Sequence, residues 1–124
     1  MPFDSAPEMP VSDIERLVDA RSLISGGGVW IKGRYRDGDR RCLIATLGLV
    51  SGNDNVLTPN SVQRRLARLL VHQLPPNAPL LARTKLLSAE CRLILFNDSA
   101  KTELADVVCL FDRAIGRLVG VVPT

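Results

Sequence analysis

Aromatic residues are scarce, with one tryptophan, one tyrosine and three phenylalanines among 124 residues. Leu, Val, Ile and Ala must therefore fill the core. That favours packed helices over a β-sandwich, where aromatic and β-branched residues abound. Histidine occurs once, at His72, and the three cysteines, Cys42, Cys91 and Cys109, lie far apart. No CxxC knuckle or ligand cluster follows from that spacing, so no metal is expected. An odd set of separated cysteines reads as reduced thiols in a cytoplasm, not as a disulfide framework. No apolar run reaches the roughly 18 residues of a membrane span. The first ten residues carry Asp4 and Glu8 and lack a secretory pattern. Gly26-Gly27-Gly28 has neither the spacing nor the following lysine of a phosphate loop, so no cofactor is expected.

What is present is ordinary for one globular domain: 46% hydrophobic and 23% charged residues. The net charge of +3 is unevenly spread. Residues 1–31 carry a net −3, whereas residues 60–92 carry a net +5 from Arg64, Arg65, Arg68, Arg83, Lys85 and Arg92 against Glu90. Such asymmetry either steers an acidic partner or marks two surfaces that face each other within the fold.

The patterning predicts a mainly α fold: about five helices in one domain over 11–124, a loose tail at 1–10, and a small β-hairpin near 29–43. Ser12 and Glu15 form a capping-box pattern ahead of Ile14, Leu17, Val18 and Ile24. The glycine triplet should end that helix. Asp37-Gly38 is a hairpin turn signal. The apolar run from Cys42 to Val50 reads as a short buried helix. Thr58 to Ser61 opens the next, with Val62, Leu66, Leu69 and Leu70 as its stripe, and Pro75-Pro76 stops it. A further helix is expected from about Leu81 to Phe96, with Leu87, Cys91, Ile94 and Leu95 on one face. In the last, Leu104, Val107, Val108, Phe111, Ala114, Ile115 and Leu118 recur at helical spacing.

Two stretches carry a resemblance. Trp30, Gly33, Asp37-Gly38 and Cys42-Leu43 form the first. Phe96-Asn97-Asp98, Lys101-Thr102, Asp106-Val107, Leu110 and Asp112-Arg113-Ala114 form the second. Together they resemble a family of small bacterial proteins of unknown function, over roughly residues 11–118. Phe96 stands where that pattern usually has tryptophan, and Lys101 where it usually has arginine. The resemblance implies a mainly helical fold and no particular activity.

Three functional readings compete. The leading one is a non-enzymatic interaction or regulatory domain, with an acidic protein partner or a second copy of the chain, and Trp30, Arg64, Arg65, Arg68 and Asp98 as contact residues. The second is a cysteine-dependent hydrolase or transferase. Cys42, His72 and Asn97 follow the chain order of papain-like thiol enzymes, and a cysteine at a helix start has a lowered pKa. The blander alternative is a packed cysteine, a solvated histidine and an Asn97 that ends one helix in a left-handed conformation, with Asp98, Ser99 or Thr102 capping the next. The third is nucleic-acid binding through Arg64, Arg65 and Arg68, which lacks the aromatic side chains that stack bases.

Overall fold

The computed structural model describes residues 9–53 and 58–120. Among them are six helices: α1 (Met9–Ile24), α2 (Leu43–Val50), α3 (Ser61–Val71), α4 (Leu80–Arg83), α5 (Ala89–Asp98) and α6 (Leu104–Val119). A two-stranded hairpin, β1 (Arg36–Asp37) with β2 (Arg40–Arg41), lies between α1 and α2. The fold is the mainly helical single domain that the aliphatic periodicity predicts.

α2 sits at the centre because its sequence has no polar face to offer water. Leu43 through Gly48 are all buried, and the helix packs against α1, α3 and α5. Gly48 is required there, since a Cβ would meet the Asn53 carbonyl oxygen at 2.6 Å. Around α2, Leu17 and Ile24 of α1, Leu66 and Leu70 of α3, Leu93 of α5 and Leu110 and Phe111 of α6 close one core.

Helix ends follow the local chemistry. The Asn60 side chain accepts the Gln63 N–H at 2.8 Å and starts α3. The Ser88 hydroxyl accepts the Cys91 N–H at 3.1 Å and starts α5. In the hairpin, Arg36 pairs with Arg41 and Asp37 with Arg40 around a turn whose Gly38 takes φ +65°. A positive φ at the first central residue is the II′ arrangement, which suits the twist of the strands.

Several local expectations are corrected. α1 begins at Met9, so the Ser12 pattern falls inside the helix; of the expected tail at 1–10, residues 1–8 lie outside the described residues. The hairpin is short, and Trp30 makes only a lone parallel bridge to Arg41. The helix expected over 81–96 is two, because Thr84 is extended and Ser88 offers a fresh cap. The buried residues of α5 are Leu93, Phe96 and Asn97 rather than the expected face, since α2, α3 and α4 all pack on it. Asn97 lies within α5 with no left-handed backbone, and Glu103, not Asp98, Ser99 or Thr102, precedes α6. The Glu103 N–H donates to Asp106 at 2.8 Å, which holds that start.

Candidate functional site

The end of α5 and the segment before the hairpin are tied together through one side chain. Asn97 is 1% exposed, and its amide is fully used. Its Oδ1 accepts the Trp30 indole N–H at 2.6 Å and the Leu43 N–H at 3.1 Å. Its Nδ2 donates to the Ile31 carbonyl at 3.1 Å and to Asp98 Oδ1 at 2.9 Å. Asp98 Oδ1 also accepts the Gly33 N–H at 2.9 Å, where Gly33 takes φ +82°. Lys32 Nζ donates to the Ser99 carbonyl at 2.7 Å and stands 5.5 Å from the Trp30 ring centroid. Residues 30–33 are thereby laced onto residues 97–99. Of the residues of the sequence resemblance, Trp30, Gly33, Leu43, Asn97 and Asp98 thus meet in space. They form a network in which each polar group has its partner, as burial demands.

Cys42 borders this network. It caps α2, its Sγ accepting the Ala45 N–H at 3.5 Å while its own N–H donates to the Tyr35 carbonyl at 3.0 Å. The helix-start position predicts a lowered thiol pKa, yet the thiol is pushed up. Burial is the larger cause and the Asp98 carboxylate adds to it, against the opposing backbone N–H groups. Desolvation of the anion outweighs the helix end here. Cys42, Asn97 and Asp98 line a small cleft of about 220 Å³ with Gly33, Arg34, Tyr35 and Ile94. His72 is not in it. It is exposed at the end of α3, in a separate hollow of about 430 Å³ with Leu69, Gln73, Ala114, Arg117 and Leu118. The structure therefore brings together Trp30, Cys42, Asn97 and Asp98, and leaves His72 elsewhere.

The arginines of α3 part company. Arg65 grips Asp13 of α1 through three hydrogen bonds of 2.8–3.1 Å, and Asp13 is 5% exposed. This pair joins the acidic and basic halves of the sequence within the fold. Arg83 and Arg92 are also engaged, donating to the carbonyls of Ala78 and Ala82 at 2.9 and 2.8 Å. The guanidinium groups of Arg64 and Arg68, one turn apart and exposed, make no hydrogen bond or ion pair among the described residues. They border an open groove of about 710 Å³ between α3 and α5, with Tyr35, Ile44, Pro59, Ala89, Cys91 and Ile94 as its apolar lining. Ser88 and Glu90 complete it at the start of α5.

Among the buried polar residues that sequence reading missed are Gln63 and Asp13. Gln63 is fully buried, donating to the Ile44 carbonyl at 3.3 Å and accepting from Asn53 at 2.9 Å. Asp13 was counted only as acidic charge. Each sits in step with the leucines of its helix, three or four residues before Leu66 or Leu17, and that register was the available signal. Among the described residues no group of three or more His, Cys, Asp or Glu side chains is placed to hold a metal, and no helix is long and apolar enough to cross a membrane.

Residues 9–117 match the model of a family described as "Family of unknown function (DUF6197)". No curated protein and no solved structure matches the chain.

Proposed function

Because the chain belongs to this family of unknown function, its role is read from its own side chains, and we propose a non-enzymatic interaction domain that holds an acidic, partly apolar segment of a partner protein between α3 and α5. One observation carries this reading. Arg64 and Arg68 are exposed and unengaged beside an apolar groove, whereas the neighbouring Arg65, Arg83 and Arg92 are tied to the fold. A guanidinium held at a groove rim favours carboxylates by geometry and charge. The start of α5 adds the positive end of its helix dipole to the same groove, with Glu90 as the one opposing charge.

The thiol-enzyme reading has less support. Its base, His72, lines a different hollow from Cys42, and Asn97 already has every amide position occupied. The nucleic-acid reading loses Arg65 to Asp13.

The test is capture from an extract of the source cells by the immobilised full chain. R64E/R68E should lose the bulk of the protein that wild type retains, while K101E, outside the groove, should keep it. Equal capture by R64E/R68E would remove the groove as the contact surface.

A further inference from the structure

The most exposed large apolar side chains in the described chain lie together on a different element. Leu80 and Leu81 of α4 and Leu86 in the turn after it are 72%, 60% and 94% exposed. They are not left over from poor packing. α4 turns the buried Ala82 inward against α5, and its shape is pinned from several sides. The Arg83 side chain donates to the Ala78 carbonyl and the Arg92 side chain to the Ala82 carbonyl. The Thr84 N–H donates to the Leu81 carbonyl at 3.3 Å, and the Leu86 N–H to the Thr84 hydroxyl at 3.3 Å. None of the three leucines lines a cleft described above.

From this we infer that α4 and the following turn form a shallow insertion tip for an anionic lipid surface. Charge complementarity supports the choice of partner. Residues 73–89 contain Arg83 and Lys85 and no acidic residue. Lys85 can reach from beside the inserted leucines back to headgroup phosphates while its stem stays apolar, and Arg83, its Nε held by the Ala78 carbonyl, keeps its exposed positive charge at the same edge. Leucine insertion plus a basic pair makes two weak signals, the combination that gives reversible surface attachment. The tip shares no residue with the groove between α3 and α5, so either stands without the other.

The test is co-sedimentation of the full chain with vesicles of phosphatidylcholine alone and of phosphatidylcholine with phosphatidylserine. The mixed vesicles should bind the chain, and neutral ones much less. L81S/L86S should lower binding about tenfold or more, with the dichroism spectrum and melting point unchanged because both leucines are outside the core. K85E should weaken binding to the mixed vesicles with the leucines intact. No binding to mixed vesicles, or full binding by L81S/L86S, would overturn the inference. So would wild-type self-association that L81S/L86S abolishes, which would assign the leucines to a second copy of the chain.

Discussion

Asn97 shows how one buried amide can join two distant stretches of chain. Its neighbours Trp30, Ile31 and Leu43 would each keep an unsatisfied polar group if the side chain were removed. Asn97→Ala should therefore destabilise the fold by about 2–4 kcal/mol, because a lost partner for a buried group costs its desolvation. Trp30→Phe frees only one Oδ1 lone pair and should cost less. Denaturant melts of the two variants check the order, and equal losses would show that Asn97 is not the hub. Cys42 gives a second prediction at this scale. Held as a thiol by burial and by Asp98, it should resist iodoacetamide at mildly alkaline pH in the native chain and react once the chain is unfolded. The sequence made Cys42 and Asn97 visible as residues of interest. Whether they served chemistry or packing was not legible there, because a cysteine at a helix start is activated in water and suppressed in a core.

At the scale of elements, the pairing of Asp13 with Arg65 couples α1 to α3. Its two halves are unequal. Removing Arg65 leaves a buried carboxylate without its guanidinium, while removing Asp13 leaves a cation that water already reaches. Arg65→Ala should cost about 2–3 kcal/mol and Asp13→Ala about 1 kcal/mol, both read from chemical denaturation. A reversed order would mean that Asp13 is hydrated in solution. The same comparison shows what element patterns can and cannot convey. The stripe of Leu66 and Leu70 marks the inward face of α3 from sequence alone. Which of the flanking arginines meets an acid depends on where α1 lies, and nothing within α3 encodes that. The gap between α4 and α5 escaped for a related reason. No proline or glycine interrupts residues 80–96, and the corner is held by Arg92 reaching back to the Ala82 carbonyl, a contact made only once the two helices have packed.

For the whole molecule, the raised Cys42 pKa becomes a dependence of stability on pH. The folded chain keeps the thiol proton above the ordinary value of 9.0, where the unfolded chain releases it. This contribution is complete below that value and is lost as pH rises toward the folded pKa, at up to about 1.4 kcal/mol per pH unit. The difference between wild type and Cys42→Ala, measured by urea melts from neutral to alkaline pH, isolates it; a difference independent of pH would place the thiol in contact with water. The sequence by itself determined the helical class, the aliphatic core, the last helix and a helix start within Thr58 to Ser61, since these depend on period and on neighbours a few residues away. Tertiary structure alone decided that Arg65 is tied down while Arg64 and Arg68 are open, that His72 stands apart from Cys42, and that Leu80, Leu81 and Leu86 face outward. Those outcomes depend on which distant surfaces meet, and the free energy of such meetings belongs to the packed assembly of helices, which no local stretch of chain contains.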